Sequence, residues 1–218
     1  MRVGLTYDLK EAVQIDHSAP EDALEEYDYP ATINYITRAL EAQGHRIVKL
    51  GGGREFLSAI LAEKVDIVFN ISEGRGTFRS REAQVPSVLE MLNIPYVGSD
   101  PLCLAICLEK SLTKEIVARA GVRTPQWFVL KDLKSLSAVK WEGFNFPAIL
   151  KPVYEGSSKG IRNTSLVSLP GGSLSTSCEG RLRFHKRGRA DTQSAHLSVS
   201  AQKSRAYALT RSADFSKE

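Results

Sequence analysis

The chain has 218 residues, 42% of them apolar, and a formal net charge of +4, which allows one large domain or two small ones and excludes a disordered chain as a whole. No run approaches the roughly 18 consecutive apolar residues of a membrane-spanning helix, and MRVGLTYD at the start lacks the basic and longer apolar regions of a secretory leader, so a soluble cytoplasmic protein is expected. Three cysteines exclude a disulfide framework, and nine Lys and Arg against four Asp and Glu from Ser168 onward, with 20 against 21 before it, leave the body without a nucleic-acid footprint.

RVGLT (2–6) predicts a first buried strand. Acidic residues crowd positions 21–28. PATINYITRALEAQG then predicts a helix, with Ile33, Ile36 and Leu40 at helical spacing and Gly44 at C′. HRIVKL (45–50) reads as a strand, and GGGREFLSAILAE as a turn and short helix. VDIVFN (65–70) is apolar at nearly every position, as strands covered on both faces are. The loop ISEGRGTFRS (71–80) leads into a helix across EAQVPSVLEMLN, where Pro86 is tolerated only in the first turn. IPYVGS supplies a fourth short strand.

Asp100 and Pro101 form an N-cap and N1 pair. Helical pattern continues to Ala120 in two pieces and Gly121 closes it. Cys103 and Cys107 lie four apart on one face and are expected to pack as small hydrophobes. Alternating strands and helices predict an α/β, Rossmann-like domain with a parallel sheet over residues 1–101.

From 102 to 167 the pattern changes to that of a partial α+β domain. TPQWFVL (124–130) is a strand, DLKSLSAVK a short helix, and FPAILKPV (146–153) a further strand. Residues 168–218 are rich in Ser and Arg, poor in large aliphatics, and sustain neither a strand nor a helix period. Such a segment cannot bury enough apolar area to offset an ordering entropy of roughly 1–2 kcal/mol per residue. A disordered basic tail is expected there.

The loop in LKPVYEGSSKGI (150–161) carries the clearest chemistry. Gly156 and Gly160 allow close backbone approach, Ser157 and Ser158 add hydroxyl donors, and consecutive amides can cradle phosphate oxygens. Lys151 at the end of a buried strand is costly unless an anion answers it. The competing reading is a flexible turn, since Gly and Ser are ordinary there. The loop is neither a Walker A sequence nor G-x-G-x-x-G.

VDIVFN, PSVLEMLNIPYVGSDPL, CLEKSLTKEIVARAGVRTP and FPAILKPVYEGSSKGI together resemble, in order and spacing, the D-alanine–D-alanine ligases of the ATP-grasp superfamily. The resemblance covers residues 1–167 and is strongest in the middle. It implies an ATP-dependent carboxylate–amine ligase that joins two D-alanine molecules through an acyl phosphate for peptidoglycan synthesis, with ATP and Mg²⁺ as cofactors. It implies that Lys110 and Lys151 bind ATP and that Gly156, Ser157, Ser158 and Gly160 fold over the phosphates. Ser157 also matches a serine that orders the first amino acid, which makes it the catalytic candidate. A homodimer is a family possibility.

Glu73 and Gly74 stand where the family often has His-Gly and are the substrate-side candidates; Arg75, Arg79 and Arg81 either meet a carboxylate or are solvated. Lys114 and Lys159 are expected to be solvated. The family's N-terminal glutamate has only Glu11 as a counterpart, and its Asp, Glu and Asn metal ligands have none after residue 161, where Asn163 is the one asparagine. A frame change or truncation near residue 167 would account for that. Two alternatives stay open: an ATP-grasp ligase for another amino acid, and a non-catalytic module whose basic tail binds an acidic partner. Few aromatics in the tail argue against nucleic acid.

Overall fold

The computed structural model of the chain describes residues 1–14, 19–168 and 197–201, the last five and residues 133–134 by backbone alone. Two four-stranded sheets organise it. The first holds β1 (Arg2–Thr6), β2 (Arg46–Gly51), β3 (Ile67–Asn70) and β4 (Tyr96–Val97) in the order β2-β1-β3-β4. All its pairings are parallel, and Val3 stands between Ile47 and Ile67. Helices α1 (Pro30–Ala42), α2 (Gly53–Ala62) and α3 (Gln84–Met91) make the crossovers. This is the α/β architecture expected from the alternation.

The local signals act where they stand in the sequence. Pro30 opens α1 with no amide to satisfy, and Gly44 follows its end at φ +79°, a conformation that costs other residues more. Ile33 from α1 is buried. Phe56 and Ile60 from α2, Val85 and Leu89 from α3, and Leu50 and Val68 from the strands form one apolar cluster. Pro86 lies in the first turn of α3.

Helices α4 (Pro101–Leu108) and α5 (Lys110–Arg119) connect the sheets. The Asp100 carboxylate accepts the Cys103 amide at 2.7 Å, as its N-cap role predicts. Cys103 and Cys107 do share a face, with sulfurs 4.0 Å apart, but both are exposed. The expectation of buried thiols is corrected: in α4 only Leu108 is fully buried, so the cysteine face is the outward one.

The second sheet is antiparallel, ordered β5-β8-β6-β7, from β5 (Trp127–Leu130), β6 (Ala148–Pro152), β7 (Leu166–Val167) and β8 (Leu197–Ala201). The short helix α6 (Leu133–Ser137) follows β5, with Asp132 as its cap. Phe128, Trp141, Phe144 and Phe146 pack ring to ring with centroids 5.1–5.8 Å apart over Leu130, Ala148 and Leu150. Strand β8 lies within the segment expected to lack order, and it pairs with both β5 and β6. Five residues of LSVSA alternate too briefly to stand out in a polar stretch. The rest of that tail is outside the described residues.

Candidate functional site: a cationic cleft facing a buried ring of charge

In the order β2-β1-β3-β4, chain connections leave β1 and β3 in opposite directions. Ligands of open α/β sheets bind beyond the carboxyl ends of strands at such a switch point. Here Thr6 and Asn70 end the two strands side by side, bonded through their side chains at 2.7 Å. The described segments that follow them, 7–14, 19–29 and 71–83, converge there with the glycine-rich loop that follows β6.

One wall is cationic. Burial along β6 alternates, so Ala148, Leu150 and Pro152 face the aromatic core and Lys151 faces away from it. The first amide of α5, that of Lys110, donates to Val153 O at 3.1 Å and ties the helix start to the end of β6. The Lys110 ammonium donates to Glu155 O. Burial pushes its pKa down to about 8, and Lys151 and Arg81 push the same way against Glu155 and Glu82. Lys114, one turn along, is lowered by burial and by Lys151. It donates to Pro125 O at 3.2 Å and lies 5.3 Å from the Trp127 ring centroid. Lys151 has no carboxylate partner among the described residues. Lys110, Lys114 and Lys151 thus lie close enough that Lys151 lowers the pKa of the other two.

The glycine-rich loop forms the lip. Its left-handed residues are Ser157 (φ 45°) and Ser158 (φ 60°) together with Gly160 (φ 75°), so the conformational freedom expected of Gly156 is used one residue later. Lys159 N donates to Gly156 O and Ile161 N to Ser158 O, both at 2.9 Å, giving two successive turns. Gly160 N donates to Asp22 Oδ2 at 2.8 Å. The amides of Gly156, Ser157 and Ser158 have no partner among the described residues. Open amides are therefore confined, among the described residues of the loop, to 156–158, while the Gly160 amide is committed to Asp22.

The opposite wall is acidic. A Cβ on Gly156 would stand 3.6 Å from Glu82 Oε1, 3.8 Å from Glu26 Oε2 and 3.9 Å from Glu73 Oε2. Burial raises the Glu73 pKa to about 7, with Glu82 and Glu26 adding to it and Arg81 opposing. Burial also raises Glu82, against the lowering field of Arg81. Beneath them Arg81 is almost wholly inaccessible, 1% exposed. It donates to Tyr154 O at 2.9 Å and to Glu26 Oε2 at 2.6 Å, and it pairs with Glu155 at 3.3 Å. Lys159 pairs with the same two carboxylates, Glu26 at 2.7 Å and Glu155 at 2.8 Å.

Several expectations change here. Lys159 is not solvated: its side chain is 15% exposed and bridges two buried carboxylates. Lys114 is half-buried and bonded. Glu11 is exposed, and Asp22 and Glu26 are N-terminal acids that reach the loop. Arg81 meets carboxylates within the chain, and Arg75 pairs with buried Asp8 at 2.9 Å, while Arg79 is exposed. The Gly74 amide donates to Asp8 Oδ2 at 3.0 Å. Ser157 and Ser158 are exposed at the lip. The acid crowding at 21–28 was the one sequence signal for Asp22 and Glu26; nothing local distinguished Arg81 from its neighbours. Among the described residues no group of three or more Cys, His, Asp or Glu is arranged to hold a metal ion. With Glu26 committed to Arg81 and Lys159, these residues do not fit a magnesium site. Nor is any helix among them long and apolar enough to cross a membrane.

No family model matches the chain. Individual proteins do. It is 35% identical over 127 residues to the D-alanine–D-alanine ligase of Aquifex aeolicus, covering 58% of this chain and 42% of that one. It is 33% identical over 135 residues to the ligase of Pseudomonas fluorescens, covering 62% and 40%. The chain thus spans about two fifths of the length of these relatives. Among solved structures it is similar to a Bacillus anthracis D-alanine–D-alanine ligase complexed with ATP, with TM-score 0.59, 21% identity, and 93% of this chain and 58% of that one covered. The VanG D-Ala:D-Ser ligase of Enterococcus faecalis gives TM-score 0.60 at 17% identity, covering 92% and 62%. The resemblance read from the motifs is borne out by these comparisons.

Proposed function

We propose that the cleft binds the polyphosphate of ATP as part of a carboxylate–amine ligase that joins D-alanine to D-alanine for peptidoglycan synthesis. The observation that carries this reading is the meeting of Lys110, Lys114 and Lys151, the last with no carboxylate partner among the described residues, beside the open amides of residues 156–158. Preorganised cations and amide donors are what lets an anionic carboxylate approach an anionic phosphate. In that chemistry the carboxylate oxygen attacks the γ-phosphorus and ADP leaves. An amine then attacks the acyl carbon and phosphate leaves.

In this reading Lys151 and Lys110 hold the phosphates, Gly156, Ser157 and Ser158 close over them, and Gly160 fixes the loop's far end. Ser157 orders the first amino acid from the lip. Glu73, on the acidic wall, faces the amino group of a substrate. Magnesium would neutralise phosphate charge in such a reaction, but no step is assigned to it from these residues. The second reading, a ligase for another amino acid, is favoured by the presence of Glu73 and Gly74 where His-Gly is usual. A cytoplasmic location and a dimeric assembly fit the proposal.

Calorimetric titration with ATP tests it. Wild type is expected to bind, while Lys151→Met and Lys110→Met lose at least tenfold in affinity, about 1.4 kcal/mol. Unchanged affinity in both variants contradicts the proposal. ADP release measured with D-alanine, D-serine and L-alanine decides between the two substrate readings.

A further inference from the structure

The glycine-rich loop is held by charges from three distant parts of the chain. Glu26 precedes α1, Arg81 lies in the turn of 3-10 helix Arg81–Ala83 before α3, and Glu155 and Lys159 flank the loop itself. Their contacts close a circuit. Arg81 pairs with Glu26, Glu26 with Lys159, Lys159 with Glu155, and Glu155 with Arg81, at 2.6, 2.7, 2.8 and 3.3 Å. Signs alternate around it and the net charge is zero. Both glutamates and Arg81 are at least nine-tenths buried at the side chain.

Buried ions are costly unless each meets partners of opposite sign, and each member here meets two. Outside the circuit, Arg81 also holds Tyr154 O, Asp22 holds the Gly160 amide, and Arg162 reaches Asp22 at 3.4 Å. The open amides of 156–158 sit between these fixed points.

We infer that Arg81, Glu26 and Lys159 are positioning residues: their ring clamps the glycine-rich loop into its phosphate-ready shape before nucleotide arrives. The loop is preorganised, so nucleotide does not have to order it on binding. This deepens the nucleotide-binding reading but is testable without it, because the clamp acts in the empty protein.

The experiment is amide hydrogen exchange resolved at the bonded loop amides of Lys159, Gly160 and Ile161, on the full chain without nucleotide. Wild type is expected to protect these amides, and Lys159→Gln to speed their exchange roughly tenfold or more while amides of β1 and β3 are unchanged. Lys159→Gln leaves Glu26 and Glu155 sharing Arg81, and the partial exposure at position 159 lets water answer part of the residual charge. Glu26→Gln provides the second variant, and the double variant is expected to be markedly less than additive, because both single changes open the same ring. ATP is expected to restore part of the protection in Lys159→Gln.

Amides of Lys159, Gly160 and Ile161 that exchange in wild type as fast as a free peptide overturn the clamp. So does unaltered loop exchange in both variants, or strict additivity of the two. A general loss of protection in β1 and β3 in Lys159→Gln would show a merely structural role and also overturn it. Failure of ATP to bind wild type, with the exchange pattern as expected, would count against the nucleotide reading and leave the clamp standing.

Discussion

Lys110 gives up part of its hold on a proton because it is buried beside Lys151 and Arg81, with its pKa lowered to about 8. An anion bound between Lys110 and Lys151 reverses that effect and raises the pKa again. Nucleotide binding should therefore take up protons: about half a proton per site at pH 8 and close to none at pH 6. Calorimetry in two buffers of different ionisation enthalpy measures it. Glu73 carries the opposite lesson. Its pKa rises from 4.5 to about 7 on folding. The folded state resists ionising it, so stability present below pH 4.5 is lost as pH rises through about 7. Glu73→Gln is expected to raise the thermal midpoint at pH 8 and leave it nearly unchanged at pH 4.5. An equal shift at both pH values would mean that Glu73 is not held in its buried, raised state.

At the scale of elements, the turn after β3 is built around a glycine. Gly74 has φ +81°, and a Cβ there would lie 2.0 Å from Arg81 O. Gly74→Ala is expected to cost about 2–4 kcal/mol in denaturant unfolding, and a loss below 0.5 kcal/mol would contradict this packing. Helix α1 was legible in the sequence because its signals are local: Pro30 at the start, Gly44 after the end, and Ile33 at helical spacing between them. The place of Lys151 near the end of β6 was legible for the same kind of reason, a charge closing an apolar strand. The ring was not. Glu26 and Lys159 are 133 positions apart, and Glu26 and Arg81 are 55 apart. Each looks like an ordinary surface charge until folding brings them together. The exposed cysteines of α4 show the converse failure, since helical spacing gives a shared face but not which way that face points.

At the scale of the whole molecule, the parallel sheet sets a switch point, and the antiparallel sheet delivers Lys151 and the glycine-rich loop to it. The cleft between them divides by sign, with ammonium groups on the α5 and β6 side and carboxylates on the side of segments 21–28 and 73–82. That division suits a ligand with an anionic phosphate end and a cationic amino end nearby. Glu26 and Lys159 cross between the sheets at 2.7 Å, so the clamp also joins the two halves of the cleft. Breaking a buried pair of this kind on one side typically costs about 3–5 kcal/mol. Glu26→Gln is accordingly expected to lower global stability more than Lys159→Gln, whose side chain has solvent access, as urea unfolding would show.

The most direct measurement follows the amide resonances of Gly156, Ser157 and Ser158 while the protein is titrated with ATP and, separately, with adenosine. The account predicts saturable shifts of these three amides with ATP and none with adenosine, because the phosphates and not the base occupy the cradle. Saturable ATP binding that leaves all three amides unmoved would contradict it.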